Sequence, residues 1–103
     1  MSFLSNLFGS APAADFKAIK AAGAVVVDVR SESEFASGHI PGSINIPLDK
    51  ISSKVNELKK KGVPVITVCR SGARSGMAKS QLAQAGLEVY NGGPWDSLIK
   101  QLS

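Results

Sequence analysis

The sequence predicts an α/β domain built on a small, mostly parallel sheet of four to five strands with helices on both faces. Three observations carry that expectation. β-Branched residues run consecutively in Val25-Val26-Val27 and again from Val65 to Val68, the pattern of strands covered on both sides. Strand signals alternate with stretches of helical periodicity along the chain, which calls for helices above and below one sheet. The length of 103 residues, with 44% hydrophobic and 19% charged residues, suits one compact domain and excludes a disordered tail protein.

Residues 1–12 read as a short leader and 13–103 as the single domain. In the leader, Phe3, Leu4, Leu7 and Phe8 recur at near-helical spacing, but no basic stretch precedes them and Ser5 and Asn6 interrupt the apolar run. A secretory signal needs both features, so the segment is expected to dock on the domain or to serve as a weak partner-binding stub. Asp15 caps a helix that turns Phe16 and Ile19 inward and stops at Gly23. Ala24 to Val29 is the first strand. Ser31 and Glu34 have the spacing of a capping box, opening a single-turn helix that ends near Gly38. After the turn His39-Ile40-Pro41-Gly42, Ser43 to Ile46 forms a short strand closed by Pro47. Asp49 is expected to cap the next helix, whose stripe is Ile51, Val55 and Leu58. Lys59 to Lys61 complement the negative end of that helix and Gly62 supplies a left-handed cap. Val65 to Val68 delivers Cys69 at a strand's carboxyl end. A helix carrying Ala78, Leu82 and Ala85 follows, stopped by Gly86. Glu88 to Tyr90 is the last strand, and Gly92-Gly93-Pro94 turns into a helix with Trp95, Leu98, Ile99 and Leu102 on one face.

Composition narrows the function. Twelve Lys and Arg against eight Asp and Glu leave a net charge of +4, which favours anionic partners but is too diffuse to indicate nucleic acid. The longest apolar stretch, Ala21 to Val27, is far short of the ~20 residues that span a bilayer, so no membrane span is expected. One cysteine excludes a disulfide framework and a metal site built on several cysteines. A free thiol is consistent with a cytoplasmic location.

The informative segment is Cys69-Arg70-Ser71-Gly72-Ala73-Arg74-Ser75, which joins a buried strand to a helix and holds two of the three arginines. Ligands of open α/β sheets bind where strands end and helices begin. A loop wrapped around the sulfur aims successive N–H groups at one point, with Gly72 taking the positive φ that such a nest requires. The helix start and Arg74, with Arg70 beside it, add positive charge for a bound oxyanion, and the planar fork of Arg74 suits two oxygens of one anion. The same features lower the thiol pKa, and the thiolate is the nucleophile.

Together, Asp28-Val29-Arg30, Gly38-His39-Ile40-Pro41-Gly42-Ser43-Ile44-Asn45 with Pro47, the loop Cys69 to Ser75, and Gly92-Gly93-Pro94-Trp95 resemble the landmarks of the rhodanese-like sulfurtransferases, in that family's order. The resemblance covers about residues 13 to 102. It implies a rhodanese-like fold and a thiosulfate sulfurtransferase type of enzyme. Cys69 would take a sulfane sulfur from a small anionic donor such as thiosulfate and pass it to a thiophilic acceptor: cyanide, a thiol or a protein. The amides of Ser71 to Ser75 would hold the persulfide in a ping-pong cycle with no metal and no organic cofactor.

Two other readings stand beside it. Cysteine-dependent phosphatases, which like arsenate reductases use a cysteine and an arginine in an anion loop, resemble C-x5-R. Here the spacing is C-x4-R, with Ser75 where that arginine would fall. A docking module, or a carrier fed by an acidic protein donor or acceptor, is compatible with the basic loop. Asp28 and Arg30 leave a strand at the same edge as Cys69. They are read first as a pair tying loops together and second as support for the bound anion. His39 is expected to cap backbone in its turn rather than act as a base, and Met77 to be filler.

Overall fold

The computed structural model describes residues 14–103, so the expectations for the 1–12 leader lie outside the described residues. The elements in chain order are α1 (Phe16–Ala21), β1 (Val25–Asp28), α2 (Glu32–Ala36), β2 (Ile44–Asn45), a 3₁₀ turn (Leu48–Lys50), α3 (Ile51–Lys61), β3 (Val65–Cys69), α4 (Ala73–Gln84), β4 (Val89–Pro94) and α5 (Trp95–Leu102).

All strands are parallel, in the order β2-β1-β3-β4. The consecutive β-branched residues of β1 and β3 are buried, apart from the half-buried Val25 at the start of β1, because each face of the sheet is covered. Val27, Val65 and Cys69 face Ile51 and Leu58 of α3 and Ala78 and Leu82 of α4. Val26, Ile66 and Val68 face Leu98 of α5, with Phe16 and Ile19 of α1 packed at the margin. Each fully buried Leu or Ile contributes about 1.5–3 kcal/mol, so these two layers dominate the stability of the sheet.

Local signals account for three of the helix ends. The Asp15 side chain accepts the Ala18 N–H at 3.1 Å. The capping box of α2 is complete, with the Glu34 N–H donating to Ser31 Oγ at 3.2 Å and the Ser31 N–H to Glu34 Oε1 at 3.0 Å. Gly62 ends α3 at φ 65°. One expectation is corrected: Asp49 does not cap α3. It lies inside the 3₁₀ turn, and Lys50 occupies the cap position without a side-chain bond, because the chain leaving Pro47 has already begun to wind.

A second difference concerns Gly92-Gly93-Pro94, which extends β4 instead of turning out of it. The β3–β4 register slips there: Thr67 is opposite Asn91 while Val68 is opposite Gly93, so Gly92 is the extra residue of a bulge. A Cβ on Gly92 would come within 2.8 Å of Ile66 Cγ2 and 3.0 Å of the Thr67 carbonyl oxygen. Only glycine fits against β3 at that point.

Candidate active site

The chain moves from β1 toward β2 on one side of the sheet and from β3 toward β4 on the other. The adjoining carboxyl ends of β1 and β3 therefore form the topological switch point where such sheets bind ligands. Cys69 is the last residue of β3, and Arg70, Ser71 and Gly72 lead from it into α4. Gly72 stands at φ 101°, a conformation that a side chain would strain. That turn folds the loop back over the sulfur. The Gly72 N–H donates to Cys69 Sγ at 3.0 Å and the Ser75 N–H at 3.3 Å, while the thiol donates to Ser75 Oγ at 3.3 Å.

Cys69 and Ser75 are fully buried, Gly72 and Arg74 are half-buried, and Arg70, Ser71 and Ala73 are exposed at the mouth. Burial pushes the Cys69 thiol up. The Ser75 hydroxyl and the amides of Ser75, Gly72 and Ser71 outweigh it, and the thiol rests below its ordinary value. N–H groups converging on sulfur stabilise the thiolate more than the thiol, which suits a nucleophile.

Sequence reasoning missed the clasp behind this loop. The Ser75 hydroxyl donates to Asn91 Oδ1 at 2.6 Å, the Gly93 N–H donates to the same oxygen at 2.9 Å, and Asn91 Nδ2 donates to the Gly72 carbonyl at 3.2 Å. A Cβ on Gly76 would lie 3.2 Å from that Nδ2, so the first turn of α4 leaves room for the amide. The one available signal was an asparagine near the end of a short strand, a position that many loops would also accept.

The fork of Arg74, expected to grip an anion, is engaged from within the protein. Nη1 donates to Glu34 Oε1 at 2.8 Å and Nη2 to Glu34 Oε2 at 3.0 Å. Bonding to Arg74 and to the Ser31 amide holds the Glu34 carboxyl down at about 2, and Glu34 in turn raises the Arg74 guanidinium. Asp28 and Arg30 form a second pair, almost wholly buried. Arg30 Nε donates to Asp28 Oδ1 at 3.0 Å and Nη2 to Oδ2 at 2.8 Å. Arg30 Nη2 also reaches the Gly38 carbonyl at 2.6 Å, and the guanidinium lies 4.8 Å over the Trp95 ring. Arg30 thus joins β1, the Gly38 turn and α5 behind the site. His39 stacks on Phe35 and its Nδ1 bonds the Phe35 carbonyl at 2.7 Å, on the surface of α2.

Beside Arg74 runs a groove of about 420 Å³ floored by Val29, Pro47 and Leu48 and walled by Met77 of α4. Met77 is 58% exposed, so it does not fill the core as expected. A hollow of about 230 Å³ lies at the opposite end of the sheet, between Leu58 and Leu87 and with Lys59 and Glu88 on its lining, away from Cys69. Among the described residues no helix is long and apolar enough to cross a membrane, and no three His, Cys, Asp or Glu side chains gather as metal ligands.

Comparison with known proteins agrees with this geometry. Residues 12–93 match the rhodanese-like domain family. YqhL of Bacillus subtilis is 40% identical over 82 residues, covering 75% of this chain and 64% of that protein. A sulfurtransferase of Allochromatium vinosum is 39% identical over 62 residues, covering 60% of this chain and 57% of that one. The chain thus spans less than two thirds of either relative. A solved rhodanese with anions from E. coli superposes with a TM-score of 0.66 at 30% identity, covering 72% of this chain and 89% of that one. With the parallel sheet, the cysteine at its switch point and the family match over most of its length, the chain belongs to the rhodanese-like family.

Proposed function

We propose that the protein is a sulfurtransferase that carries sulfane sulfur as a Cys69 persulfide. The observation that carries this reading is the convergence of the Gly72 and Ser75 amides on a thiol held below its ordinary pKa. With thiosulfate, the Cys69 thiolate attacks the outer sulfur. An Sγ–S bond forms, the donor's S–S bond breaks, and its electron pair leaves on sulfite. An acceptor such as cyanide then attacks the terminal sulfur, and the Cys69 thiolate is regenerated as thiocyanate leaves. The amides of Ser71 to Ser75 hold the persulfide between the two steps, while Arg70 at the mouth attracts the donor.

The test is the intact mass of the protein before and after thiosulfate, with Cys69→Ser alongside and cyanide added last. One extra sulfur atom in the wild type, absent from the variant and removed by cyanide as thiocyanate, is the expected result. An unchanged mass, or equal turnover by the serine variant, refutes the nucleophile. A second reading, a carrier loaded by another protein, draws on the putative sulfur carrier protein YrkF of Bacillus subtilis, 35% identical over 63 residues, of which the chain covers 34%. The exposed, basic Arg70 would suit an acidic partner for that exchange.

A further inference from the structure

One hydroxyl beside the nucleophile has a single proton and two neighbours that can take it. Ser75 Oγ lies 3.3 Å from Cys69 Sγ and 2.6 Å from Asn91 Oδ1. Backbone partners fix which way the Asn91 amide points. The Gly93 N–H can only donate, so the atom it meets at 2.9 Å is the oxygen; the Gly72 carbonyl can only accept, so the atom 3.2 Å from it is the nitrogen. Oδ1 carries no proton, and the Ser75 hydroxyl therefore gives its own to Asn91. Toward the sulfur it presents a lone pair, which accepts the thiol S–H but opposes a thiolate. The backbone of the loop does not depend on this asparagine. The Gly72 carbonyl also accepts the Gly76 N–H at 3.0 Å, and the Ser75 carbonyl accepts the Thr67 hydroxyl at 2.9 Å.

We propose that Asn91 is a positioning residue of this site: it competes with the Cys69 sulfur for the Ser75 hydroxyl proton, holding it while Cys69 is a thiol and yielding it when the sulfur becomes anionic. This role rests on the reading of Cys69 as the persulfide-forming nucleophile. When Cys69 ionises, its proton leaves to solvent, while the Ser75 proton stays on Oγ and turns about the Cβ–Oγ bond from Oδ1 to Sγ. Oδ1 keeps the Gly93 N–H after the turn, so no acceptor is orphaned. The same rotation serves the second step, in which an acceptor takes the terminal sulfur and the electron pair of the S–S bond returns to Sγ. A hydroxyl bonds an anionic sulfur more strongly than a neutral amide oxygen, so the sulfur wins the proton, at the cost of the bond given up at Asn91. The charged groups around this edge are Asp28 and Arg30 at the end of β1, Glu34 of α2, Asp49 of the 3₁₀ turn, and Arg70 and Arg74. Tyr90 of β4 bonds Glu88, Asp96 stands in the first turn of α5, and α3 and α4 bring apolar side chains to the layer that holds Cys69.

The experiment titrates Cys69, the one cysteine of the chain, by the ultraviolet absorbance of its thiolate, with Cys69→Ser as the blank. Asn91 is exposed, so its substitution spares the core. Asn91→Ala frees the hydroxyl for the sulfur, and the inflection is expected to move down by about 0.5–1 in pH. Asn91→Asp keeps an accepting oxygen and adds a negative charge, and is expected to move it up. Both variants lose the bond to Gly72, so a role confined to holding the loop would move the two inflections in the same direction. On a Ser75→Ala background the shift caused by Asn91→Ala should vanish. Below the inflection, Asn91→Ala should also gain sulfur from thiosulfate several-fold faster than the wild type. An Asn91→Ala inflection that stays or rises, or a shift that persists without the Ser75 hydroxyl, overturns the proposal and leaves the persulfide intact. A wild type that gains no sulfur from thiosulfate fails the persulfide reading itself, whatever the titration shows.

Discussion

Replacing Arg30 by alanine separates a residue that supports the site from one that binds substrate. The Arg30 side chain is 4% exposed and that of Asp28 is 0% exposed. The substitution removes three side-chain bonds to the carboxylate, the bond to the Gly38 carbonyl and the stacking on Trp95. Among the bonds to the Asp28 carboxylate, only that from the backbone Arg30 N–H would remain. Breaking a buried ion pair from one side costs about 3–5 kcal/mol, because the other charge is left without compensation. A domain of this size has roughly 5–15 kcal/mol of stability in all. Arg30→Ala is therefore expected to lower the Tm by on the order of 15 °C or more. Urea unfolding followed by the fluorescence of Trp95, the only tryptophan, measures the loss. In a double-mutant cycle with Asp28→Ala, the two losses should be strongly less than additive. Below the unfolding transition, Arg30→Ala should still gain sulfur from thiosulfate. A loss under 1 kcal/mol combined with abolished sulfur loading would refute this reasoning and make Arg30 a substrate contact.

Three further outcomes follow from particular contacts. Gly92→Ala forces a Cβ against Ile66, Val68 and the Thr67 carbonyl and should cost about 1–3 kcal/mol in urea unfolding; an unchanged midpoint would show that the bulge relaxes freely. The rate of Cys69 alkylation by iodoacetamide should reach its plateau at a lower pH than that of an ordinary thiol, because the backbone amides of Ser75, Gly72 and Ser71 favour the thiolate; an inflection at the ordinary thiol value would refute that role. Glu34 titrates at about 2 in the folded protein, below its ordinary 4.5, so the unfolded chain binds the proton more readily between those values. Its contribution to stability is complete above pH 4.5 and is lost as the pH falls toward 2. Glu34→Gln should flatten that part of the urea-midpoint profile, and a profile as steep as the wild type's would assign the acid sensitivity to other carboxylates.

Much of the molecule is legible in the order of its residues. The consecutive β-branched runs announce buried parallel strands because a strand covered on both faces has no polar side. The Ser31–Glu34 box, the left-handed Gly62 and the positive φ of Gly72 follow from spacing, since each joins groups within a few residues of one another. The same locality places Cys69 at the end of β3 with a glycine turn and a helix start behind it. The tertiary structure decided what those residues meet. Glu34 closes its own helix cap and also takes the fork of Arg74, 40 residues away. Asn91 reaches the loop because the β3–β4 register sets it opposite Thr67 and the bulge at Gly92 follows it. Arg30 is committed to Asp28, Gly38 and Trp95 rather than to solvent. Periodicity and capping are short-range, so sequence spacing encodes them directly. Pairings between distant segments depend on strand order, register and the direction of each side chain, which are settled only when the sheet is packed between its helices.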